Sequence, residues 1–158
     1  MKTWTKTKVT DRGTPFPPGP WVDEPDKAHW IDEETDLDCL IHRGPLGALC
    51  GYVAVTEGHP AFEKNYNEVD VEVHGGLTYA NFCQETDDES YGICHVPLEG
   101  RPERVWWLGF DCGHYQDLVP SMLRDDEHMW QSLKATYKDF DYVKAEVESL
   151  ARQLAAMA

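Results

Sequence analysis

Hydrophobic and polar positions alternate in several short stretches of this chain and repeat with a helical period only near its end. Residues 39–43 and 48–55 are apolar runs flanking Gly44-Pro45-Leu46-Gly47, a strong turn signal, and predict a β-hairpin. With the turn centred there, pairs 43–48, 41–50 and 39–52 follow. Cys39, Ile41, Cys50 and Tyr52 then share one face, and Leu40, His42, Leu49 and Val53 the other. Both faces are largely apolar, so the hairpin is expected at the centre of a sheet covered on both sides. Residues 69–74, Val-Asp-Val-Glu-Val-His, alternate as a half-buried strand does, with the valines inward and Asp70, Glu72 and His74 outward. Further strands are predicted at 93–96 and 105–112; in the latter Trp106, Leu108 and Phe110 share one face and Trp107, Gly109 and Asp111 the other. Residues 77–82 fit either a short helix or a strand.

The end of the chain is helical in pattern. A stretch without helix breakers runs over 126–137. A second helix starts near Asp139 or Asp141, either of which can cap it, and carries Val143, Val147, Leu150 and Leu154 as one apolar stripe. Strands first and helices last predict an α+β fold: a mainly antiparallel sheet with a C-terminal helix packed on it. Residues 1–20 read as an extended arm, because Thr14 to Pro20 holds four prolines in seven residues. Trp4, Phe16 and Trp21 are its candidate anchors. Residues 21–158 form one domain, and 22–38 carry eight Asp or Glu against one Lys.

At 158 residues the chain is long enough to bury a core without staples. Its formal net charge of −15 opposes nucleic-acid phosphates and anionic membranes, so neither is an expected partner. No apolar run is long enough to span a bilayer, and the start of the chain lacks a secretory signal, which together predict a cytoplasmic protein. Five cysteines, an odd number without a Cys-x-x-Cys pair, predict free thiols or metal ligands rather than disulfides.

Motifs for nucleotide binding, zincin chemistry and α/β-hydrolase chemistry are absent. Polar residues do gather where strands are expected to end: His74 before Gly75-Gly76, Cys94-His95, and Asp111-Cys112-Gly113-His114. Imidazole, thiolate and carboxylate are zinc's ligand types, so His74, His95, Asp111, Cys112 and His114 are the candidate metal set, with Asp70 or Glu72 as the candidate base. His74 and Asp111 lie at the same end of a sheet only if their strands run parallel. In the plainer alternative His74 caps a turn, Cys112 is a small core residue and Asp111 closes the following glycine turn.

The segments Glu24-Pro25-Asp26, Leu49-Cys50-Gly51-Tyr52-Val53, Gly58-His59-Pro60, Val73-His74-Gly75-Gly76-Leu77-Thr78, Cys94-His95-Val96 and 106–114 carry a resemblance. From about Trp21 to Leu154 the chain resembles a group of small uncharacterised proteins of tailed bacteriophages and prophages. The resemblance implies a host-cytoplasm setting and assigns no activity or catalytic residue. Two expectations follow. One is a small metal-dependent hydrolase, with a divalent metal, zinc favoured, activating a water. The other is a non-catalytic acidic accessory protein that binds and modulates a host protein.

Overall fold

The computed structural model describes residues 1–6, 10–11, 14–124 and 134–158. The helix expected over 126–137 lies mostly outside them. β1 (Lys2–Trp4), β4 (Lys27–Ile31), β5 (Asp38–Arg43), β6 (Leu49–Thr56), β7 (Tyr79–Phe82) and β8 (Val105–Asp111) build one sheet in the order β1-β4-β5-β6-β8-β7, every pair antiparallel. β2 (Thr10–Asp11) and β3 (Thr14–Pro15) pair with each other alone. Among the described residues one α-helix, α1 (Phe140–Ala155), packs on β5 and β6. The fold is α+β. The first residues of the leader join the sheet as an edge strand, and Trp21 pins its proline segment: the indole is buried over Gly19, donates to the Pro17 carbonyl at 2.9 Å and meets Tyr137 edge-on.

α1 forms where the sequence places it. Asp139 is its N-cap, accepting the Tyr142 N–H at 2.9 Å, and Val143, Val147, Leu150 and Leu154 are all buried. This stripe meets Ile41, Val53, Val55, Leu108 and Phe110 on one face of the sheet and makes the main core. Asp139→Ala should cost about 1 kcal/mol in urea denaturation, the usual worth of such a cap; a change near zero would mean that water serves that N–H equally well. The other face carries Leu40, Tyr52, Ala54, Val105 and Trp107. β5 is buried along its whole length, as a central strand covered on both sides must be. Among the described residues no helix is long and apolar enough to cross a membrane.

The hairpin register differs from expectation by one residue. Arg43 pairs with Leu49, His42 with Cys50 and Leu40 with Tyr52. Gly44 and Ala48 close the loop through Gly44 N–H to Ala48 O at 2.8 Å, and Gly47 takes φ +100°. That left-handed residue adds one position to the turn and moves every later residue of β6 to the opposite face. Cys39 and Ile41 therefore lie with Gly51 and Val53 under α1, and Leu40 and His42 with Cys50 and Tyr52 on the other face.

Two expected strands are not strands. Residues 69–74 are extended and place Val69, Val71 and Val73 against the core. Their polar partner is a side chain, however: the Gln153 amide accepts the Glu72 N–H and donates to the Glu72 carbonyl, both at 2.8 Å. Residues 93–96 make only an isolated bridge, Ile93 to Gln84. Residues 77–82 resolve into β7 at the sheet edge.

Candidate functional site

The chain turns back at Gly75–Gly76, where the Gly76 N–H donates to Val73 O at 2.9 Å, and then enters β7 alongside β8. This reversal delivers His74 to the end of β8 without any parallel strand. Gly75, at φ +68°, is required twice over: a Cβ there would sit 2.3 Å from Cδ2 of the His114 ring, which packs directly against its backbone. His74, Asp111 and His114 thus gather in one region, as expected.

Asp111 stands opposite Cys50 in the β6–β8 ladder. Its Oδ2 accepts from Thr78 Oγ1 at 2.9 Å, and its Oδ1 accepts from the Gly113 N–H at 3.0 Å and lies 3.3 Å from His114 Nε2. About a third of each side chain is exposed, 37% of Asp111 and 34% of His114. Both line a cleft of about 410 Å³ between the Gly44–Ala48 turn and the segment after β8. Pro45, Leu46, Val119 and Met122 give the cleft apolar walls, with Cys50 at its polar end. Burial, and then the Asp111 charge, push the Cys50 thiol up to about 11, so it is protonated at neutral pH and not a ready nucleophile.

His74 is engaged on both ring nitrogens. Nε2 pairs with Asp117 Oδ2 at 2.8 Å and Nδ1 with the Tyr142 hydroxyl at 2.9 Å. The rings of His74 and His114 meet edge-on, 6.1 Å between centroids. Asp117 is the hub behind them, buried and also receiving the His114 backbone N–H at 3.0 Å and Lys138 at 3.1 Å. Burial alone would raise its pKa; hydrogen bonds from His74, the His114 backbone and Lys138 outweigh this and hold it below the usual carboxylate value. Cys112 points into the main core, where burial raises its pKa. Asp70 and Glu72 are exposed, and neither lines the cleft.

His95 belongs to a different place, the sheet face opposite α1. Its ring lies edge-on to Trp107 at 5.6 Å and to His29 at 5.7 Å. His29 Nε2 pairs with buried Asp38 at 2.7 Å. Burial holds the His95 pKa below the ordinary imidazole value against the pull of the Asp38 carboxylate. Next to it Cys83 and Cys94 form a disulfide, where free thiols were expected; Cys39, Cys50 and Cys112 are free. The linked residues flank the Gln84–Ile93 bridge, which draws two loop segments together that nothing in the cysteine spacing announces. Among the described residues, Cys83, Cys94 and His95 are the one group of three or more potential metal ligands whose donor atoms all lie within 4.8 Å of one another.

No protein-family model, curated protein or solved structure matches the chain.

Proposed function

We propose that the chain is a binding domain for a small, largely apolar molecule bearing an N–H or ammonium group, held in the cleft at the end of β8. The observation that carries this is the pairing of apolar walls with one polar end: Asp111 and His114, 3.3 Å apart, within about 410 Å³. Small-molecule sites have this composition and size, apolar for affinity with few polar groups to set orientation. Asp111 supplies the acceptor. Thr78 and Gly113 fix its carboxylate by two hydrogen bonds, so it pays little entropy on receiving a donor. His114 is held in turn by the Gly75 backbone and the Asp117 hub.

The metal-dependent hydrolase expected from the sequence would draw on the same pair. Catalytic zinc takes three protein ligands. Asp111 and His114 offer two, and His74 is committed to Asp117 and Tyr142. Binding is therefore the better supported reading.

A ligand-observed NMR screen of cationic aromatic and aliphatic fragments tests it. In protein-observed spectra the hits should then shift resonances of Val119 and Met122. Asp111→Asn should weaken them at least tenfold, as loss of a charge-assisted hydrogen bond worth about 1.5–3 kcal/mol requires. Hits that map elsewhere, or that bind Asp111→Asn equally well, would exclude this function.

A further inference from the structure

The second cluster, on the sheet face opposite α1, shares no residue with the cleft and calls for its own chemistry. Here His95 Nδ1 lies 3.6 Å from Cys83 Sγ and 4.0 Å from Cys94 Sγ. Tetrahedral zinc, with bonds of about 2.3 Å to sulfur and 2.0–2.1 Å to nitrogen, holds a nitrogen and a sulfur roughly 3.6 Å apart. The imidazole is therefore already at ligand separation from both sulfurs. We propose that reduction of the Cys83–Cys94 bond opens a zinc site in which Cys83 Sγ, Cys94 Sγ and His95 Nδ1 hold the ion and a water completes the tetrahedron.

Three features of the surroundings fit a metal better than a bond that only braces the fold. The first is the orientation of the imidazole. Its ring is wedged between Trp107 and His29, and Nδ1 is the nitrogen turned toward the sulfurs. The second is the Trp107 indole N–H, which donates to Cys83 Sγ at 3.2 Å. Such a donor stabilises a thiolate and is the outer support that metal-bound sulfur commonly receives. The third is access. Cys94 and His95 line a recess of about 260 Å³ together with Lys27, Glu85 and Glu89, which gives an ion and its water a route in.

The two cysteines do not depend on their bond for proximity. The Gln84 N–H donates to Ile93 O at 3.0 Å immediately inside the pair, and a Cβ on Gly92 would stand 2.6 Å from Gln84 O, so the segments are packed backbone to backbone. The chemistry balances simply. A cellular dithiol delivers two electrons and two protons, becomes a disulfide itself and leaves two thiols on the chain. Zinc then enters and the two thiol protons leave to solvent.

Cobalt(II) serves as the spectroscopic probe. Protein reduced with a phosphine and desalted without oxygen should take up one equivalent, with sulfur-to-cobalt charge-transfer bands and the intense visible bands of tetrahedral cobalt, both erased by zinc. Oxidised protein should show neither. Cys83→Ser should lose the bands, and His95→Gln should weaken cobalt binding at least 100-fold with circular dichroism unchanged. Cys50→Ser should retain them, which distinguishes this site from the cleft thiol. Reduced wild-type protein without sulfur-to-cobalt bands, or bands that persist in Cys83→Ser, would overturn the proposal. Should Cys83→Ser fail to fold, His95→Gln alone decides, because it leaves both thiols in place.

Discussion

Arg43→Ala is expected to destabilise the protein by about 3–5 kcal/mol, the cost of stranding buried carboxylates when their cation is removed. Arg43 is 1% exposed and sits where three parts of the chain meet. Its Nε donates to Asp26 Oδ1 at 2.7 Å, and its NH1 donates to the Gly47 carbonyl at 2.8 Å and to the Tyr137 hydroxyl at 2.9 Å. Tyr137 in turn donates to Glu24 Oε1 at 2.5 Å, while Glu24 Oε2 accepts the Phe140 N–H at 2.6 Å at the start of α1. One guanidinium thus joins the segment before β4, the hairpin turn and the approach to the helix. Tm should drop by roughly 10 °C or more at this chain length. Arg43→Lys should recover only part of this, since an ammonium cannot reproduce the planar fork. A loss below about 1 kcal/mol in urea denaturation would show that water satisfies Asp26 and Glu24 without help.

The second large effect is one of pH. His42 is buried with its Nε2 unpartnered, and burial, then the charges of Lys6 and Lys27, lower its pKa from 6.5 to about 3. As pH falls below about 6.5 the unfolded imidazole takes up a proton while the folded one does not, so acid favours unfolding. The loss builds until the folded pKa is reached. At about 1.4 kcal/mol per unit it amounts to roughly 3 kcal/mol at pH 4. His95, also lowered, adds a loss of the same sign. Asp38 and Asp117, held below the usual carboxylate value, contribute stability above that value and lose it as pH falls through their folded pKa. Stability from urea denaturation should therefore fall more steeply between pH 7 and 4 for wild type than for His42→Leu, whatever offset the substitution brings at pH 7. Parallel curves would show that His42 protonates in place.

The elements read correctly from sequence are those in which one period governs the whole segment. Val143, Val147, Leu150 and Leu154 needed only the helical period and a cap, and the inward faces of β8 only simple alternation. β4 was hidden because its buried positions include Lys27 and His29. The Lys27 ammonium lies over the Trp4 ring and donates to the Glu89 carbonyl, and His29 pairs with Asp38, so both are buried at positions that read as polar. Alternation at 69–73 reported a half-buried extended backbone, which Gln153 on α1 satisfies as well as a neighbouring strand would. The gathering of His74, Asp111 and His114 was legible as polar residues beside glycines. Asp117, Thr78 and Cys50 were not, since their roles depend on which segments meet across the turn at Gly75–Gly76. In the second cluster Cys94-His95 was legible as a polar pair, but Cys83 was not, since it lies 11 residues before Cys94 with no motif between them.

The position of α1 in the chain bears on how the molecule is made. Ile41, Val53, Leu108 and Phe110 share a core with Val143, Val147 and Leu150, which are translated after every strand of that sheet. For as long as translation takes to travel from β8 to the helix, that sheet face lacks the helical stripe and has only earlier segments such as Val69, Val71 and Val73 to pack against it. Transiently exposed apolar surface of this kind makes a chain prone to aggregate until it is covered. Completion of α1 is the step that closes that face of the sheet.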